Sequence, residues 1–230
     1  MAHMIPAHPK DFDPASHEDV VFAALSHLPD EFYVFHSLET VTLGRNHPYA
    51  MHESDFVVIS PRYGILTIEA KAGSHISYQN GTWYYSSGLP MPHGGPYHQS
   101  VVAMHHLMDC IAESLPNFRR NCKFLSAVWF IDLSADVFRR ISLPMEATAA
   151  LTLTLDDLAD PTPKILSIFD IPVQGFHPER SITAQEFNRL MDQVLCPAFH
   201  LVPSPASQNQ AIEQRFNSLL REQYRLLDFL

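Results

Sequence analysis

Two short apolar runs, Phe56 to Ile59 and Ile65 to Ile68, constrain this chain more than any other feature. Both are rich in β-branched residues and neither alternates with polar positions, the pattern of strands buried on both faces. Pro61 and Gly64 punctuate the residues between them, so the runs read as two strands joined by a tight turn. Charged residues do not belong at the ends of such strands without a reason, because a buried unpaired charge is costly. Yet Asp55 opens the first strand, and Glu69 and Lys71 close the second. Side chains alternate along a strand, so Glu69 and Lys71 point to one side. Asp55 joins them only if it pairs opposite Glu69 or Lys71 rather than Ala70. A connection with an odd number of residues gives that register, and we expect one, or a bulge with the same effect.

Two carboxylates held side by side repel, and both stay ionised only when a cation sits between them. Hard oxygen ligands suit Mg²⁺ or Mn²⁺. A neighbouring amine stabilises anionic charge or orients a water. A metal that activates water, beside such an amine, is what phosphodiester hydrolysis requires. Asp55, Glu69 and Lys71 are therefore candidate catalytic residues. Asp55 and Glu69 are candidate metal ligands. Read alone, E-x-K on a strand also fits a buried Glu69–Lys71 ion pair with no catalytic role.

The flanking chain supplies the rest of a fold. Met1-Ala-His-Met4 has the look of a cloning scar ahead of a native Met4, and residues 5–15, with three prolines, read as an extended lead-in. Ser16 and Asp19 form a loose capping box, and Val20, Val21, Ala24, Leu25 and Leu28 make the apolar stripe of a helix ending before Pro29. Glu18 lies at the edge of that stripe. It is either a first-turn glutamate favoured by the helix dipole or a carboxylate reaching the metal site. Phe32 to Leu43 reads as a strand and Gly44 to His52 as a loop. Gln79-Asn80-Gly81 joins two further short strands as a hairpin. Pro96 starts a helix that continues to Leu115. Gln99, in its first turn, is either a capping or solvated side chain or a group that hydrogen-bonds a water, a phosphate or a metal-bound group. Phe124 to Ile131 is another buried strand. The order helix, five strands, helix, strand predicts an α/β core with a central mixed sheet flanked by helices.

Beyond residue 133 the texture turns mainly helical, with short helices expected at Asp156 to Leu158, Thr162 to Phe169 and Thr183 to Leu195. The expected organisation is thus a lead-in over 1–15, a core domain over 16–133, a helical extension over 134–202, and a linker with an amphipathic helix over 203–230.

Several of these pieces together resemble one family. They are Glu18 on the first helix, the E-x-D-F-V-V-I run from Glu53, Gly64-Ile65, Ile68-Glu69-Ala-Lys71-Ala-Gly73, Gly81-Thr82-Trp83 and Pro96-Tyr97-His98-Gln99. As a set they resemble the nuclease-related domain, NERD, of the PD-(D/E)xK nuclease superfamily. The resemblance spans roughly residues 15 to 130. It departs from the family at Ala70, where a β-branched residue is usual, and in the histidine- and glycine-rich run before Gln99. It implies a restriction-endonuclease-like fold and Mg²⁺- or Mn²⁺-dependent hydrolysis of DNA, with RNA as the alternative substrate. Asp55, Glu69, the Ala70 carbonyl and Glu18 would bind metal, and Lys71 and Gln99 would complete the catalytic set. Leu220 to Leu230 resembles the helix ahead of the phosphate-binding loop in UvrD-like superfamily 1 helicases, where a glutamine matching Gln223 contacts adenine. No G-x-x-x-x-G-K-[ST] occurs in the chain, so it is not itself an ATPase. The resemblance implies a helicase domain in the same full-length chain and a role in DNA processing or defence against phage.

Composition sets limits on this reading. The net charge of −10 argues against a protein that coats nucleic acid, and favours slightly a non-catalytic module that keeps the nuclease fold for nucleic-acid binding or protein docking. Retention of Asp55, Glu69 and Lys71 together disfavours that module. No apolar run approaches a membrane span, and three cysteines without metal spacing fit free thiols in a reducing cytoplasm. Most of the 14 histidines read as surface or loop residues, with His52 and His98 as candidates to aid proton transfer or contact phosphate, and no spacing suggests zinc.

Overall fold

The computed structural model describes residues 1–8, 12–42, 50–73, 75–141, 143–176 and 182–197. The linker and amphipathic helix expected from residue 203 lie outside the described residues. The chain divides into two compact units, Met1–Leu195 and Cys196–Leu230, and all secondary structure among the described residues belongs to the first. In chain order it comprises β1 (His3–Ile5), α1 (Glu18–Ser26), β2 (Tyr33–Thr42), β3 (Ala50–Ser60), β4 (Gly64–Lys71), β5 (Ser77–Gln79) and β6 (Thr82–Tyr84). There follow α2 (Pro96–Ser114), α3 (Phe118–Asn121), β7 (Phe124–Phe130), α4 (Ala135–Arg140), β8 (Thr152–Leu153), α5 (Thr162–Phe169) and α6 (Ala184–Leu190).

The central sheet is mixed and six-stranded, in the order β1-β2-β3-β4-β7-β8. β2, β3 and β4 are antiparallel neighbours, while β1, β7 and β8 add in parallel. Both faces are covered, which is why β3 and β4 read as unbroken apolar runs. On one face Phe56, Val58, Leu66 and Ile68 pack against Val21 and Leu25 of α1 and Ile165 and Ile168 of α5. On the other, Val57, Ile59 and Ile65 pack against Leu107 and Ile111 of α2 and Phe187 and Leu190 of α6. The β5–β6 hairpin pairs separately and seats Trp83 against Phe130 and Phe138. Asn80 and Gly81, both at positive φ, form its turn, as the Asn-Gly signal requires.

The turn between β3 and β4 has three residues, Pro61, Arg62 and Tyr63, the odd-numbered connection expected. Ser60 pairs with Gly64 and Phe56 with Ile68, so the register carries Asp55 opposite Glu69. Gly64 is at φ +119, and a Cβ there would overlap the carbonyl oxygen of Lys123, which accepts a 2.9 Å bond from the Ile65 N–H. Gly64→Ala is therefore expected to lower stability by about 2–4 kcal/mol, measured by urea denaturation.

The structure differs from the sequence reading at several points. The lead-in contains β1, an edge strand parallel to β2. α1 starts at Glu18 with His17 as its N-cap residue, and Ser16 Oγ accepts from the Glu18 N–H at 3.3 Å. The helix ends at Ser26 because Leu28 already turns back onto the Leu25 carbonyl. β3 begins at Ala50, within the expected loop, so Asp55 lies inside the strand and not at its start. Before Asp55 this strand pairs only with β2, and its exposed Met51 and Glu53 hide it from a search for buried runs. α3, α4 and β8 are too short to carry a periodic signal. β8 joins the central sheet, and α5 and α6 cover opposite faces, so these three elements share the core of the preceding part.

Candidate active site

The site lies where β4 parts from β3. Their ladder runs from Ser60↔Gly64 to Phe56↔Ile68, while β4 stays paired with β7 through Lys71↔Phe130. At this fork the Asp55 side chain takes the place of the missing strand partner: its Oδ2 accepts the Ala70 N–H at 2.8 Å. That bond satisfies an amide which would otherwise be left open. On β2, Ser37 falls between the paired positions His36↔Phe56 and Leu38↔Ser54, in the left-handed region at φ 51. A non-glycine residue there costs energy, and such outliers gather at functional sites.

A cleft of about 790 Å³ opens at the fork. Asp55, Ala70, Lys71 and Gly73 form its floor, with Ser16, His17 and Glu18 on one side and Tyr85, Ser86, Ser87 and Asp132 among its other lining residues. Glu69 is buried, and its Oε1 receives the Lys71 ammonium at 2.5 Å. The buried ion pair and the candidate catalytic pair are thus the same two side chains. Burial pushes the Asp55 carboxyl up to about 7; the nearby Glu69 charge adds to the rise, and Lys71 and the Ala70 N–H oppose it. Burial alone would lower Lys71, but the charge and hydrogen bond of Glu69, with Asp55 and Tyr85, raise it and keep the amine charged.

Asp55, Ala70, Lys71 and Glu18 line one cleft, while Glu69, paired with Lys71, is buried and is not among its lining residues. Gln99 is not among them either: it lies in the first turn of α2, and its amide nitrogen donates to the Pro92 carbonyl at 2.7 Å. His52 stacks on His106 of α2 with ring centroids 3.8 Å apart, and neither it nor the exposed His98 lines the cleft. Burial first, then His106 and His93, lowers the His52 pKa. The histidines at the site are others. His17, at φ 55, places Nδ1 3.4 Å from Asp132 Oδ1, while Asp132 Oδ2 accepts the Gly73 N–H at 2.6 Å. His36 places Nε2 2.8 Å from Glu18 Oε2. One signal pointed to His36: it shares a strand face with apolar Val34 in an otherwise core-type segment.

A hard dication fits these residues. Two carboxylates, one of them raised toward neutrality by burial and then by its neighbour, sit where a cation would replace the proton. Among the described residues no group of three or more His, Cys, Asp or Glu forms a metal cage.

The model of the nuclease-related domain, NERD, matches residues 14–131, just over half of the chain. The chain belongs to the NERD family. The match encloses Glu18, Asp55, Glu69, Lys71 and Gln99 and stops one residue short of Asp132. The central mixed sheet with flanking helices is consistent with a nuclease-like core. Searches of curated proteins and of solved structures gave no match. Among the described residues no helix is long and apolar enough to cross a membrane.

Proposed function

We propose that this NERD domain is a metal-dependent nuclease of the PD-(D/E)xK superfamily that hydrolyses phosphodiester bonds of DNA, with RNA as the alternative substrate. The observation that carries the proposal is the fork itself, which sets Asp55 and Lys71 in the lining of an open cleft, with Glu69 buried against Lys71. Asp55, Glu69, Glu18 and the Ala70 carbonyl are the groups that would hold Mg²⁺ or Mn²⁺. The ion, when bound, supplies Lewis-acid activation of water and neutralises developing charge. Lys71, kept charged by its carboxylate neighbours, orients the attacking water and stabilises the anionic phosphorus centre. The likeness of Leu220 to Leu230 to the helix preceding a helicase phosphate-binding loop supports coupling to a helicase, in DNA processing or phage defence in the cytoplasm.

The test is cleavage of single- and double-stranded DNA and of RNA with Mg²⁺, with Mn²⁺ and with EDTA. Cleavage with either metal that stops in EDTA is the expected result. Cleavage indifferent to EDTA rejects the metal-dependent site. Absence of cleavage on every substrate, with binding retained, favours a module that keeps the fold for nucleic-acid binding or docking.

A further inference from the structure

Glu18 is the one carboxylate of the proposed site that comes from outside the β3–β4 hairpin. It stands at the first residue of α1, a helix whose N-cap residue His17 makes no side-chain capping bond. A glutamate in that position has three rotatable bonds, and about a fifth of its side-chain surface is open to solvent (21%). Left to itself it would sample several rotamers, and only some would place an oxygen on the cleft floor.

One contact removes that freedom. His36 on β2 directs Nε2 to Glu18 Oε2 at 2.8 Å, and its own side chain is only 6% exposed. The imidazole is walled by Phe12, Phe22 and Phe56, with ring centroids 4.9, 6.0 and 5.0 Å away. Such packing fixes the ring plane, and with it the direction of the nitrogen. A carboxylate only accepts, so Nε2 is the ring nitrogen that carries hydrogen. The strand beneath is fixed too, since His36 pairs with Phe56 and Leu38 with Ser54.

We infer that His36 is a positioning residue: its Nε2–H, aimed by the aromatic box, holds one oxygen of Glu18 so that the other faces Asp55 across the cleft as a third metal-site carboxylate. This rests on the metal-dependent reading above. It assigns a metal-site role to a residue that touches neither metal nor substrate. The arrangement follows a general pattern in metal sites, where a partner behind a ligand orients it and loss of that partner weakens metal binding about 10–100-fold.

The full chain is titrated calorimetrically with MnCl₂ as wild type and as His36→Phe, His36→Leu, His36→Gln and Glu18→Gln, and each is melted without metal. His36→Phe fills the aromatic box and removes the donor. His36→Gln returns an amide nitrogen near the place of Nε2. We expect His36→Phe, His36→Leu and Glu18→Gln to bind Mn²⁺ about 10–100-fold more weakly, and His36→Gln to stay within about threefold of wild type. We expect the metal-free melting temperature of His36→Phe to remain at the wild-type value. Mn²⁺ binding by His36→Phe or Glu18→Gln as tight as wild type overturns the inference. So does a His36→Gln variant as weak as His36→Phe, because the box and not the donor would then matter. His36→Leu is read in the same way should His36→Phe melt early. A wild type that binds no Mn²⁺ removes the metal-dependent reading and this inference with it, whereas binding by wild type and His36→Phe alike removes this inference alone.

Discussion

Lys71→Ala is expected to lower metal-dependent cleavage by about 10²–10³-fold, the usual cost of removing one preorganised charge from the reacting centre. The substitution has a second effect that must be separated from the first. Lys71 is the only ion-pair partner of Glu69 among the described residues, and both side chains are nearly buried, at 13% and 10% exposure. Removing the amine leaves a buried carboxylate unpaired, which costs about 3 kcal/mol unless the acid takes up a proton. Urea denaturation of Lys71→Ala should show that loss. The double variant Glu69→Gln/Lys71→Ala should recover most of the stability, since a neutral amide needs no counter-charge, and should cleave no better. Recovery of cleavage together with stability would mean that neither Lys71 nor Glu69 takes part in the reaction. Cleavage by Lys71→Ala equal to wild type would remove the assigned site altogether.

Asp55→Asn is expected to do the opposite to stability. Burial and the charge of Glu69 raise the Asp55 carboxyl from 3.8 to about 7 in the fold. The folded protein therefore keeps a proton that the unfolded chain has lost, and stability falls as pH rises from about 4 toward 7 and levels off above. Asparagine keeps an oxygen for the Ala70 N–H and carries no charge. In EDTA at pH 8 the variant should be about 1–3 kcal/mol more stable than wild type, and the difference should shrink toward zero near pH 4. Mn²⁺ should stabilise the wild type and leave Asp55→Asn unmoved, because a ligand that binds only the folded state raises stability in proportion to its affinity. Equal pH dependence of the two proteins between pH 4 and 8 would show that Asp55 does not carry the strained charge.

The hairpin was legible because its information is local. Its apolar runs mark doubly covered strands, and Pro61 and Gly64 bound a turn whose residue count sets which side chains face one another. The start of α6 is local in the same way, since Thr183 and Glu186 form a capping box with both reciprocal bonds. What escaped the sequence depends on distant pairing. β8 is two residues long and exists as a strand only because β7 lies beside it. Asp132 enters the cleft because β7 runs parallel to β4 and ends at the same rim, a register no local pattern shows. His36 was passed over because its meaning comes from Glu18 and three phenyl rings on other segments. Gln99 went the other way: local position suggested a site residue, and the Pro92 carbonyl captured its amide.

The bond from the Ala70 amide to Asp55 makes one backbone proton a built-in reporter. Anything that draws electron density from that carboxylate, whether a proton, an ion or a neutralising substitution, weakens the acceptor on which this proton rests. Its chemical shift and its rate of exchange with deuterium thus record the charge state of the cleft floor from inside the sheet. No label or substrate is needed, and the signal comes from a residue whose own side chain takes no part in the chemistry.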